Sequence, residues 1–148
     1  MVSVRSARPA DADAMREVAR AAYRLYVDRI GREPAPMTAD YGIAKSGEAW
    51  VAEQGGTIVG LLVLVPALDH LLLENVAVAP PAQCLGVGAR LLRLAEERAR
   101  AHGLPEVRLY TNEAMTENLA YYPRRGYRET HRATQDGFRR VFFSKVLD

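Results

Sequence analysis

Cysteine is almost absent from this chain, and no apolar run is long enough to cross a membrane. Cys84 is the single cysteine among 148 residues, so an intrachain disulfide and a multi-cysteine metal site are both excluded. The opening MVSVRSARPADADAMRE has no apolar segment of the kind a secretory leader carries, and it points to a cytoplasmic protein. Excess charge of one sign is also lacking. Twenty Lys and Arg against 18 Asp and Glu leave a formal net charge of +2, spread along the chain. That is too little to imply a nucleic-acid or membrane partner. No repeat, low-complexity tract or linker divides the sequence, so a single domain over residues 1–148 is expected.

What is present reads as alternating elements. Val2 to Ala7 alternates as a strand does, and Asp11 is placed to cap a helix. Met15, Val18, Ala19, Ala22 and Tyr26 fall on one face of that helix, which Gly31 ends. Residues 32–47 are broken by Pro and Gly, with one short helix expected from Thr38 to Lys45. Three strands then follow in antiparallel succession: Glu48–Gln54, Thr57–Val65 and Leu71–Val78. Gly55-Gly56 turns the first pair. An amphipathic helix from Val87 to about His102 leads to a strand at Glu106–Tyr110, and this strand–helix–strand crossover implies a parallel pair. A short helix ending near Gly126 precedes a last hairpin, Tyr127–Thr134 and Phe138–Val146. The expected fold is α/β: a mixed, mostly antiparallel sheet with one parallel βαβ pair at its centre.

The turn Gln83-Cys84-Leu85-Gly86-Val87-Gly88 sits between a strand and a helix start. Gly86 is free to take backbone angles closed to other residues, and Gly88 allows close approach. The unpaired N–H groups and positive dipole of a helix start suit a phosphate. Three readings compete here. A dinucleotide site wants a third glycine where Leu91 stands, and a P-loop wants Gly-Lys-Ser/Thr, which is absent. A plain strand-to-helix turn is the bland rival.

Two blocks together, LLLENVAVAPPAQCLGVGARLL and ENLAYYPRRGY, resemble the GNAT family of N-acetyltransferases. Gln83, Gly86 and Gly88, preceded by Val78 and Pro80, resemble its acyl-CoA-binding motif. Tyr122, Gly126 and Tyr127 resemble its Tyr-x-x-x-Gly-Phe/Tyr helix end. The resemblance spans nearly the whole chain and implies acetyl-CoA as co-substrate. It also implies a central strand pair that splays to admit the thioester. The pyrophosphate would lie on the amides of Cys84, Leu85, Gly86, Val87, Gly88 and Ala89, with Gln83 as a further cofactor-binding residue. The pantetheine arm would extend the strand at Val76, Ala77 and Val78.

The resemblance further implies direct attack of a neutral amine on the thioester, with Tyr122 as general acid. Glu74, the one acid inside an apolar strand, is the candidate base, acting directly or through water; His70 and His131 are the others. Cys84-Leu85 replace the Gly-Arg or Gly-Lys common in the family, leaving Arg90 as a substitute phosphate contact. Asn118 or Asn112 would stand in for the family's usual asparagine on the pantetheine. Pro123, directly after Tyr122, threatens to kink the helix and shift the hydroxyl.

The acceptor is expected to be a primary amine of a small molecule or peptide. It would be lined by the first helix, residues 32–47 and the last hairpin, with Tyr26, Arg29, Met37, Asp40, Tyr41 and Trp50 as candidates. No metal, nucleic acid or membrane is expected, and homodimer formation is left open. The alternative is a non-catalytic acyl-CoA-binding or regulatory module.

Overall fold

The computed structural model describes residues 2–31, 48–83 and 85–148. The short helix expected at Thr38–Lys45, and the candidates Met37, Asp40, Tyr41 and Cys84, lie outside the described residues.

Among the described residues, seven strands form one sheet: β1 (Val2–Ser6), β2 (Glu48–Gln54), β3 (Thr57–Pro66), β4 (Leu71–Val78), β5 (Glu106–Asn112), β6 (Arg128–Gln135) and β7 (Phe138–Val146). Their order is β1-β2-β3-β4-β5-β7-β6, and the β4–β5 pair alone is parallel. This is the mixed, mostly antiparallel sheet that the residue pattern predicts. β3, buried on both faces, reads accordingly as a continuous apolar run.

The helices cover the two faces. On one, α1 (Ala12–Tyr23) packs Met15, Val18 and Ala19 against Val51, Leu61 and Ala77. On the other, α3 (Val87–Ala101) and α4 (Thr116–Arg124) share a larger core. That core contains Leu62, Leu64, Leu71, Leu73, Val107, Leu109 and Phe143. Gly60 lets α3 come this close: a Cβ there would stand 3.1 Å from Val87 Cγ1 and 3.3 Å from Leu91 Cδ1. Glu48 clamps the far end of α3 to β2 by accepting from Arg98 (2.8 Å) and pairing with His102. No helix among the described residues is long and apolar enough to cross a membrane.

The first helix departs from expectation. It stops at Tyr23, passes through a tight turn at Arg24–Tyr26, and resumes as α2 (Val27–Ile30) before Gly31 ends it in the left-handed region. Asp11 does not cap α1. Its carboxylate instead accepts the Arg8 N–H (2.7 Å) and the Arg5 guanidinium (2.8 Å). Asp11 thereby joins β1 to the helix entry, and those donors hold its carboxyl down to about 2.

A depressed pKa stabilises the fold above the ordinary carboxylate range, and that stability is lost as pH falls toward the folded value. Asp11→Asn should therefore lower stability at neutral pH by about 1–2 kcal/mol. In chemical denaturation the gap between variant and parent should close between about pH 4 and pH 2. A gap independent of pH would contradict this role.

Candidate active site

β4 and β5 pair only over Leu71–Leu73 and Val107–Leu109. Both strands run on, to Val78 and Asn112, without further partners in each other. The parting begins at a bulge. β3 pairs Leu64 with Leu73 and Val63 with Asn75, so Glu74 is the extra residue of β4. A bulge bends its strand and resets which face each side chain meets. Leu71 and Leu73 face the α3 core before it; Val76 and Val78 pack on that core after it, and Ala77 turns to α1.

The bulge also decides where the main chain points. Ala79 N–H donates to Val59 O (2.8 Å), which makes Gly60–Val78 a non-hydrogen-bonded pair of the antiparallel ladder. The N–H and C=O of Val78, and of Val76 two residues earlier, therefore face the gap left by β5. Side chains take both carbonyls. The Tyr23 hydroxyl donates to Val76 O (2.9 Å) and Gln83 Nε2 donates to Val78 O (3.1 Å). The two N–H groups remain directed at the gap. Tyr23 escaped the sequence reading, which favoured Tyr26; nothing in helical periodicity marks a tyrosine whose hydroxyl reaches a strand.

The gap opens into a cavity of about 120 Å³. Glu74 lines it from the bulge, and Asn118 and Tyr122 line it from α4. Tyr122 is 7% exposed and packs against Tyr121, Tyr127 and Phe143 at centroid distances of 5.5, 6.0 and 5.7 Å. Burial raises its pKa well above the ordinary phenol value, so it stays protonated at neutral pH. Pro123 does not remove it from the cavity. The helix continues to Arg124, and the Tyr122 carbonyl accepts from Arg125 and Tyr127 N–H at 2.9 and 3.1 Å. Pro123 thus falls at the end of the helix, where few bonds remain to break. Asn118 Nδ2 donates to Thr111 Oγ1 (3.0 Å), tying α4 to β5 across the cavity floor.

At the helix start, Gly86 has φ +79°, a conformation costly for a residue with a Cβ. The first bond of α3 is Arg90 N–H to Gly86 O (3.1 Å), so the amides of Val87, Gly88 and Ala89 have no partner within the helix. A Cβ on Gly88 would meet the Tyr121 hydroxyl at 3.5 Å and Val78 Cγ2 at 3.9 Å, ordinary contacts. Packing within the chain therefore does not require glycine at 88. Leu85 is exposed. The exposed Arg90 guanidinium donates to the Val2 carbonyl at the β1 edge.

The acceptor candidates among the described residues are not brought to the cavity. Arg29 pairs with Glu117 (2.7 Å) and lies over the buried Tyr26 ring. Trp50 packs on the α3 side beneath Arg98, 5.5 Å from its ring centre. His70 pairs with Asp69 (2.7 Å), and His131 stacks on Phe142; neither lines the cavity. The last hairpin does contribute, through Phe138 and Arg140, as does Tyr110 of β5.

A strand pair parted beside a glycine-started helix is the frame of an acyl-transfer fold, and the comparisons agree with it. The sequence pattern of the Acetyltransferase (GNAT) family matches residues 12–127, and the chain belongs to that family. Two rat proteins are similar to it. N-acetyltransferase family 8 member 3 is 32% identical over 87 residues, 55% of this chain and 38% of that protein. Family 8 member 2 is 28% identical over 114 residues, 72% of this chain and 50% of that protein. The chain thus spans half or less of these relatives. Among solved structures, the PaiA N-acetyltransferase of Thermoplasma acidophilum, in complex with coenzyme A, superposes with a TM-score of 0.82. It is 18% identical, with 99% of each chain covered. The ribosomal-protein-S18-alanine N-acetyltransferase of Escherichia coli superposes at 0.81 and 18% identity, covering 100% of this chain and 95% of its own. Such identities show the fold. Family membership supports acyl-CoA as the co-substrate.

Gly86→Ala should destabilise the protein by about 1–2 kcal/mol, because alanine must be held in the left-handed region. Gly86→Asn should cost less, since asparagine tolerates that region better. Equal stability of all three proteins in urea denaturation would contradict the assigned backbone constraint.

Proposed function

We propose that the protein is an acetyl-CoA-dependent N-acetyltransferase acting on a primary amine of a small molecule or peptide. The carrying observation is the parted strand pair, with the Val76 and Val78 amides directed into a gap flanked by Glu74 and a protonated Tyr122. These residues fit an acyl-CoA. The amides of Val87, Gly88 and Ala89, which have no partner within the helix, suit a pyrophosphate. The Val76 and Val78 amides suit the carbonyls of a pantetheine arm laid along β4. When bound, acetyl-CoA supplies a thioester whose C–S bond breaks as the acceptor nitrogen forms a C–N bond.

The chain's own groups then have separable tasks. Glu74 takes the proton that the acceptor's ammonium must lose for its nitrogen to attack as the neutral amine, directly or through one water. A main-chain amide of β4 donates to the oxygen that gains charge. Tyr122, protonated at neutral pH, donates toward the departing sulfur and cannot itself serve as base. Asn118, anchored on Thr111, keeps α4 and β5 in register beside it. The second reading is an acyl-CoA-binding module that keeps the glycine-started helix and does not catalyse.

Calorimetry with acetyl-CoA, followed by thiol release over an amine panel, separates the two. An enzyme should bind and turn over, and Tyr122→Phe should lower kcat by about 10²-fold with acetyl-CoA affinity nearly unchanged. Binding without turnover on any amine would favour the module. Failure to bind acetyl-CoA would sink both.

A further inference from the structure

Among the described residues, two formally charged side chains line the cavity, of opposite sign. Glu74 stands on the β4 bulge and Arg140 on β7, across β5 from it. Arg140 is held in place by three contacts. Its guanidinium lies 4.3 Å from the Tyr110 ring centre and 5.7 Å from that of Phe138, and Nη1 donates to Gln135 Oε1 at 3.0 Å. Among the described residues no carboxylate pairs with it. Its neighbour Arg139 differs: that side chain is largely exposed and lies 3.8 Å from Glu113.

A guanidinium has five N–H donors in a planar fork. With one of them on Gln135 and the plane fixed by two rings, the rest are preorganised for an anionic group. No ion pair among the described residues neutralises this charge. We infer that the acceptor is an amine that also bears a carboxylate, with its nitrogen toward Glu74 and its carboxylate on Arg140. This rests on the acetyltransferase reading above.

Charge balance selects the carboxylate. Glu74 and Arg140 together sum to zero, and an amino acid brings one positive and one negative group to meet them. A phosphate monoester brings nearly two negative charges, leaving one uncompensated near Glu74. The apolar walls, Leu73, Val76, Leu109 and Phe138, accommodate the remainder of such a molecule. Arg140 is thereby a specificity-determining residue.

The test uses the standard amino acids, each paired with its amide, together with phosphoethanolamine. The parent should prefer carboxylates over amides by about tenfold or more in kcat/KM. Arg140→Gln should bring that ratio near one through acceptor KM, with acetyl-CoA affinity unchanged. Arg140→Lys should recover part of it, and Arg139→Gln should leave the ratio as in the parent. An independent arm titrates parent and Arg140→Gln with the N-acetyl amino acids by calorimetry, where binding should weaken about tenfold. A ratio near one in the parent, a ratio unaffected by Arg140→Gln, or better use of phosphoethanolamine would overturn the inference. Should no amine turn over, the calorimetric arm decides alone: no binding, or equal binding by both proteins, overturns it. Failure of acetyl-CoA itself to bind would instead strike at the acetyltransferase reading.

Discussion

The parting of β4 from β5 after three paired residues governs the rest of the structure. A central parallel pair normally stays closed, because unpaired main-chain groups in a protein interior cost free energy. Here the Glu74 bulge bends β4 while β3 keeps its own ladder intact on the other side. Two side chains then cover the exposed carbonyls, Tyr23 on Val76 and Gln83 on Val78. Donors are left where acceptors have been satisfied. A gap of that polarity favours a ligand rich in carbonyl oxygens, which is what an acyl-pantetheine offers.

The groups around the gap stand on rigid elements. α4 is fixed at its start by Glu117 pairing with Arg29, and beyond its end by Tyr127, whose ring contacts Tyr122 at 6.0 Å. Lys145 adds to this by donating to Glu96 (3.1 Å) and to the Arg125 carbonyl (3.1 Å). Tyr122 thus takes its position from the core. The same burial keeps its proton in place, so packing and acid–base character have one cause. Arg140 is positioned differently, by aromatic faces near the surface, as suits a group that meets an exchangeable acceptor.

Much of this was legible in the residues. The strand succession, the crossover and the left-handed Gly86 all follow from local pattern and turn chemistry. The long first helix was not legible in full: Ala22 and Tyr26 keep helical spacing across the tight turn at Arg24–Tyr26, so periodicity could not show the break. Asp11 looked like a cap of α1 because capping is local; its carboxylate does take the nearby Arg8 N–H, but its other partner, Arg5, lies on β1. The bulge at Glu74 was hidden for a similar reason. An apolar strand carrying one acid reads the same with or without an extra residue, and only the register with β3 reveals it. Arg29 and Trp50 were plausible acceptor contacts by residue type, but Glu117 and Arg98 occupy them. Tyr23 reaches Val76 and Arg140 reaches Tyr110 across long stretches of sequence, and no spacing rule marks either contact.

Amide hydrogen exchange, followed residue by residue with and without acetyl-CoA, tests the central claim most directly. The Val76 and Val78 amides should exchange readily in the free protein and become protected by about tenfold or more when acetyl-CoA is added, while Leu61, inside the closed part of the sheet, should not change. Val76 and Val78 amides already protected in the free protein, or indifferent to saturating acetyl-CoA, would contradict a gap built to receive the acyl-pantetheine.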